Sequence, residues 1–206
     1  MKSLRIIAGQ RRGHKIESPD DRATRPTSDL VRESIFNILG EVVEDRVAYD
    51  LFAGTGALGL EALSRGASRA VFVERDRDNL ALIRRNVAHL RYEDRAHAVG
   101  ADVYRWGRTL DARDQGPVIV FLDPPYRDHE KSAERLAELL AAVAAGIAPG
   151  SFVVLEAPER MDPSTLPPAL DWDVRRYGGT RVAIGERLPD PEPAEGGSPA
   201  ESGVSP

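Results

Sequence analysis

Asp50-Leu51-Phe52-Ala53-Gly54-Thr55-Gly56-Ala57-Leu58-Gly59 joins an apolar run, Val47 to Phe52, to a helical pattern from about Ala57 to Arg65. Gly54 and Gly56 let the backbone turn sharply and come close to a ligand, and Gly59 lets the helix pack against the strand. Downstream the pattern alternates. Strands are expected at Arg69–Glu74, Ala96–Val99, Val118–Leu122 and Phe152–Glu156. Between them fall helices from about Arg77 to Arg91, near Asp102, and from about Glu130 to Ala145. Asp173–Tyr177 and Arg181–Gly185 read as a closing antiparallel pair around Gly178-Gly179. Val118 to Leu122 is nearly all apolar, as the centre of a parallel sheet requires. Alternating β and α elements imply a doubly wound α/β sheet with its ligand at the strand C-termini.

Upstream, Leu4–Ala8 and His14–Ser18 form a predicted β-hairpin around the basic turn Gly9-Gln10-Arg11-Arg12-Gly13. Asp20 to Ser28 is a polar linker, and Leu30, Val31, Ile35, Ile38 and Leu39 share one face of a helix over 29–39. The chain therefore divides into a basic arm with its linker (1–28), an α/β domain (29–187) and an acidic tail (188–206). The tail is Pro, Glu, Gly and Ser with little to bury, and is expected to be disordered.

The net charge of −5 conceals this division. Residues 1–25 carry seven basic against three acidic side chains, a net of +4, while 188–206 carry four acids and no base. Local charge governs contact with phosphates, so the arm is a candidate nucleic-acid contact. With no cysteine, disulfides and thiolate metal sites are excluded, and the four scattered histidines lack the spacing of a zinc helix. No metal is expected. No apolar run nears the roughly 20 residues of a membrane span. No export signal is legible, so the expected compartment is the cytoplasm.

A GxGxxG loop alone is compatible with a dinucleotide. Two carboxylates point elsewhere. Glu74 ends the second strand, 20 residues after Gly54, where it can accept both ribose hydroxyls of an adenosine. Asp50, at the mouth of the first strand, would repel a pyrophosphate and attract the ammonium of a methionine moiety. S-adenosylmethionine satisfies both requirements. Asp50 as a turn cap is the alternative. Asp102, just past the third strand, either bonds an adenine amino group or serves as a helix N-cap. Trp106 reads as packing.

Asp123-Pro124-Pro125-Tyr126 follows the most apolar strand, at the same sheet edge as the glycine loop. An exocyclic amine on a base is a poor nucleophile because its lone pair is delocalised into the ring. The Asp123 carboxylate and the Pro124 carbonyl can accept its two N–H bonds and favour the electron shift toward nitrogen. The residue before a proline is driven to extended conformations, so Pro124 and Pro125 fix both acceptors. Tyr126 can stack on a base splayed from its helix or loop.

These motifs resemble the RsmD family, small-subunit ribosomal RNA guanine-N2 methyltransferases, over about residues 4–185. The glycine loop through Arg65-Gly66 and the Asp-Pro-Pro-Tyr motif are shared with many amino-methyltransferases. Arg5-Ile-Ile-Ala-Gly9 with Arg12-Gly13, Arg25-Pro-Thr-Ser-Asp29 with Val31-Arg32-Glu33, and Tyr177-Gly-Gly-Thr180 complete the resemblance. It implies a class I S-adenosylmethionine-dependent methyltransferase fold, Rossmann-like, with a mostly parallel seven-stranded sheet. It further implies cofactor binding by the loop, with Asp50, Phe52, Gly54 and Gly56, and by Glu74, and chemistry at Asp123 to Tyr126. The implied substrate is 16S rRNA in the 30S subunit or its assembly intermediates, with the protein acting as a monomer. Arg11, Arg12, Lys15 and Arg25 are candidate phosphate contacts on a hairpin beside the cleft, joined by Arg5, Thr27 and Arg32 from the N-terminal motifs. Leu30 departs from the family's arginine and removes one phosphate contact. Two rival readings remain. One is an adenine-N6 methyltransferase of DNA or RNA, and the other a non-catalytic Rossmann-type nucleotide- or RNA-binding protein.

Overall fold

Short apolar runs become strands because both faces of the sheet are covered by helices. The computed structural model of the chain describes residues 4–18 and 29–189. Its strands are β1 (Val47–Leu51), β2 (Arg69–Glu74), β3 (Ala96–Gly100), β4 (Ile119–Leu122), β5 (Phe152–Pro158), β6 (Leu170–Tyr177) and β7 (Thr180–Arg187). The helices are α1 (Asp29–Leu39), α2 (Ala57–Ser64), α3 (Arg77–Leu90), α4 (Val103–Gly107), α5 (Tyr126–Lys131) and α6 (Ala133–Ala145). The strands form one seven-stranded sheet in the order β3-β2-β1-β4-β5-β7-β6. All neighbouring pairs through β5 are parallel, while β7 runs antiparallel between β5 and β6. The order reverses between β1 and β4, and a crevice opens at such a switch point.

Alternate side chains of each strand feed two cores. On one face Phe72, Phe121 and Val154 meet Ile35 and Phe36 of α1, Leu60 and Leu63 of α2, and Ile83 and Val87 of α3. On the other, Leu51, Val120, Leu122 and Leu155 meet Tyr104 of α4 and Leu136, Leu139 and Val143 of α6. Each such side chain contributes roughly 1.5–3 kcal/mol when fully buried. Helix α3 starts where Asp76 accepts the N–H groups of Asp78 and Asn79, both at 3.0 Å. It stops at Arg91, whose left-handed φ of 59° ends the helical path.

Three expectations need correction. The helix expected over Glu130–Ala145 is two helices, because α5 begins directly after the extended Pro125 and Ser132, at φ −135°, breaks the path before α6. The last two strands are longer than the apolar pattern shows, since β6 is an edge strand whose ladder extends through the polar Asp171 and Asp173. The predicted hairpin strands reduce to a single bridge, Arg5 to Lys15, with a tight turn over Gly9–Arg11. Packing rather than a long ladder holds this arm, for Leu4, Ile6 and Ile16 are buried in the core of the α1–α3 face. The linker through Ser28, with Arg25 and Thr27, and the tail from Asp190 lie outside the described residues.

The arm is also fastened by a buried charge cluster. Glu61 of α2, fully buried, accepts the N–H groups of Ile7 (2.8 Å) and Ala8 (3.0 Å) and the Arg65 Nε–H (2.8 Å). Arg32 of α1 lies 3.9 Å from the same carboxylate and donates to the Arg5 carbonyl (2.7 Å) and to Asp29 (2.9 Å). Burial lowers the Arg32 pKa, and Glu61 and Asp29 oppose that shift.

Helix α2 approaches β2 so closely that a Cβ on Gly59 would lie 2.4 Å from the ring edge of Phe72. Gly59→Ala is therefore expected to destabilise the protein by about 1–3 kcal/mol through overpacking. Urea unfolding checks this, and Phe72→Leu in the same chain should recover part of the loss.

Candidate active site

Parallel strands deliver their last residues to one edge, and five of them converge here on a single cavity of about 490 Å³. That volume lies in the range of small-molecule sites, roughly 300–1,000 Å³. β1 contributes Asp50 and the loop from Phe52 to Thr55, β2 contributes Glu74, and Asp102 follows β3. Asp123 to Tyr126 follow β4, and Glu156 comes from β5. The glycine loop and the Asp-Pro-Pro-Tyr turn thus face the same space.

Two strand-end carboxylates shape the loop. Asp50 Oδ2 accepts the Gly59 N–H at 2.9 Å, and Glu74 Oε2 accepts the Gly54 N–H at 2.9 Å. Glu74 Oε1 also accepts the Asp76 N–H at 2.8 Å, joining the loop to the start of α3. A carboxylate offers about four lone-pair positions, so these bonds leave Glu74 acceptor capacity for ribose hydroxyls. Between the anchors Phe52 (φ 64°) and Gly56 (φ 78°) adopt left-handed conformations. That is costly for an aromatic residue, and such strain collects at ligand sites. The Phe52 ring stands edge-on to Tyr104 with centroids 5.4 Å apart.

Asp50 and Asp102 both take the capping roles raised as alternatives, and both also line the cavity. Asp50 secures the α2 backbone and lines the cavity. Asp102 caps α4 through the Arg105 N–H (3.0 Å) and also lines the cavity. Burial pushes the Asp50 carboxyl up to about 7; the Gly59 N–H opposes the rise and Glu74 adds to it. Trp106 packs on Tyr49, with ring centroids 6.1 Å apart.

On the opposite wall, Pro125 is extended (φ −53°, ψ 138°) and hands the chain to α5. The half-exposed Tyr126 ring is held by its phenol, 2.8 Å from the Thr180 hydroxyl at the start of β7. Tyr104 donates to Asp128 Oδ2 at 2.9 Å, linking α4 to α5 across the cavity. Sequence reasoning assigned no role to Tyr104, Asp128, Glu156 or Thr180. Glu156 carried one available signal, an acidic residue closing an apolar strand as Glu74 closes β2. The Tyr104 and Thr180 contacts depend on tertiary packing.

The arm is placed differently from expectation. Arg11 donates its Nε–H to the Leu90 carbonyl (2.9 Å) and its backbone N–H to Ser64 Oγ (3.0 Å). The turn therefore sits at the C-terminal ends of α2 and α3, where a cation complements the helix dipole. Among the described residues of the arm, Ser18 lines the cavity. Because α3 separates the two over 14 residues, the turn lies about 20 Å from the cleft. Arg32 is removed from the phosphate contacts altogether, because its guanidinium is buried on Arg5, Asp29 and Glu61. Arg5, Arg12 and Lys15 remain exposed.

The strand order, with a strained glycine loop, Glu74 and the Asp-Pro-Pro-Tyr turn around one cavity, defines a class I S-adenosylmethionine-dependent methyltransferase. Residues 4–186 match the model of the family described as conserved hypothetical protein 95. The chain belongs to this family, the RsmD family whose motifs appear in the sequence. It is 33% identical over 184 residues to YlbH of Bacillus subtilis, provisionally named an rRNA methyltransferase, covering 88% of this chain and 97% of that protein. Ribosomal RNA small subunit methyltransferase D of Escherichia coli is 44% identical over 124 residues, 60% of this chain and 61% of that protein. The solved structure of yhhF from Escherichia coli, provisionally named a methyltransferase, superposes with a TM-score of 0.74 at 32% identity. That match covers 91% of this chain and 99% of the other.

A carboxyl that titrates near 7 should make cofactor binding pH-dependent. Below that value Asp50 is neutral, and above it the anion attracts the methionine ammonium. S-adenosylmethionine affinity, measured by calorimetry, is expected to rise between pH 6 and 8, and Asp50→Asn should flatten the profile.

Proposed function

We propose that the protein transfers a methyl group from S-adenosylmethionine to the exocyclic N2 amine of a guanine in 16S rRNA, within the 30S subunit or its assembly intermediates. The observation that carries this reading is the single cavity lined by both the glycine loop and Asp123 to Tyr126. The relatives named as rRNA methyltransferases support RNA as the substrate class. The same reading has the chain acting as a cytoplasmic monomer.

S-adenosylmethionine, when bound, supplies an electrophilic methyl group on sulfonium. Glu74 accepts the ribose hydroxyls, Asp50 faces the amino-acid end and Asp102 the adenine. The target guanine, turned out of its stack, rests on the Tyr126 ring, whose orientation Thr180 fixes. The Asp123 carboxylate and the Pro124 carbonyl accept the two hydrogens of N2 and aim its lone pair at the methyl carbon. As the N–C bond forms and the S–C bond breaks, N2 becomes acidic and its surplus proton passes to Asp123. These acceptors are in place before charge develops, so little reorganisation accompanies the reaction.

Asp123→Ala is expected to abolish methyl transfer while leaving calorimetric affinity for S-adenosylmethionine within about twofold. Turnover that survives the change removes Asp123 from the reaction. Mass mapping of 16S rRNA from cells lacking the protein should show one guanine short of one methyl group. A missing methyl on adenine would establish the N6 reading instead. Arg12→Ala with Lys15→Ala should weaken particle binding and lower the slope of log K against log salt by about 1–2, because each phosphate contact adds roughly 0.7–0.9. An unchanged slope would take the arm out of the interface.

A further inference from the structure

The reaction just described uses one carboxylate of the β4–β5 edge, yet the edge carries two. Leu122 pairs with Leu155 in parallel register, and both point into the α6-side core. The next residues are Asp123, directly after β4, and Glu156 of β5, whose side chain alternates to the opposite face; neighbouring strands lie about 5 Å apart. Both line the cavity. Glu156 is only 8% exposed. Its backbone pairs with Val182 of β7, one residue beyond the last β4–β5 pair, Leu122 with Leu155. The half-buried His129, on α5, meets the Glu156 backbone, which joins β5 to the helix that follows the Asp-Pro-Pro-Tyr turn. A carboxylate is costly to bury, and this one is held rigidly beside the place where an amine is gripped.

The base itself indicates what such a group would meet. In guanine the ring nitrogen beside the N2-bearing carbon on the pairing edge is N1, which carries a hydrogen. In adenine the ring nitrogen beside the amine-bearing carbon on the pairing edge is an acceptor, and a carboxylate would repel it. We propose that Glu156 is the specificity-determining residue, accepting the guanine N1–H beside the amine held by Asp123 and so selecting guanine over adenine. This rests on the guanine-N2 reading and gives that reading a structural selector. Sites built to bond a substrate N–H reject analogues that lack it, because their buried acceptor is left unmatched.

2-Aminopurine keeps the N2 amine but has a bare N1. The test uses full-length enzyme and small-subunit particles reconstituted with either guanine or 2-aminopurine at the nucleotide found by mass mapping. Wild-type enzyme is expected to methylate the 2-aminopurine particle at least about 100-fold less efficiently, as kcat/KM. Glu156→Gln can turn its amide to donate to a bare N1. It should lose roughly tenfold on guanine and narrow the discrimination to within about tenfold, with S-adenosylmethionine affinity unchanged. Equal wild-type rates on the two particles would overturn the assignment without any variant, as would an unaltered ratio in Glu156→Gln. Failure of wild-type enzyme on the guanine particle would overturn the guanine-N2 reading itself, and the assignment with it.

Discussion

Two buried carboxylates gripping the backbone N–H groups of one loop are the constraint on which the site depends. Asp50 and Glu74 end neighbouring strands and hold Gly59 and Gly54 from opposite sides of the turn. A hydrogen bond from a neutral donor to a charged acceptor contributes about 1.5–3 kcal/mol, enough to offset the strained φ of Phe52. The loop is thereby preformed. The same groups also line the cavity, so what shapes the loop also forms part of the wall of the site.

Around that anchor the parallel sheet acts as a positioning device. Its strands end at one edge, and each terminal residue inherits the rigidity of the ladder behind it. Glu74 ends β2, Asp50 is the penultimate residue of β1, Asp123 directly follows β4 and Glu156 lies near the end of β5, so each acid is held by a ladder behind it. The helices close the opposite walls. Tyr104 reaches from α4 to Asp128 on α5, and Thr180 reaches from β7 to Tyr126. The walls of the cavity are therefore mechanically joined.

The arm shows how charge in a sequence can be misread. Arg11 in the basic arm and Arg32 in the adjoining helix were both natural candidates for phosphate. In the folded chain Arg11 closes the end of α3, and Arg32 neutralises Glu61 inside the core. Arginine serves these roles well because its planar fork satisfies several acceptors at once and it stays charged when buried. Arg5, Arg12 and Lys15 keep their side chains in solvent. Among the described residues of the arm, the basic surface is sparser than the letters imply.

The sequence by itself determined the element order, most element boundaries and the cofactor loop, because these follow from local periodicity and from motifs confined to one turn. Helix α1 over Asp29–Leu39 and strand β2 over Arg69–Glu74 match the periodic pattern residue for residue. Asp123 to Tyr126 was legible for the same reason, its chemistry being contained in four consecutive residues. Only the tertiary structure decided which carboxylates share a wall, which arginines are buried and where the arm's tip rests. Those outcomes arise from pairings between residues far apart in the chain, such as Tyr126 with Thr180, Asp123 beside Glu156 and Arg11 with Leu90. A local pattern carries no record of such neighbours, since they are set by the order in which strands pack and by the helices that cover them.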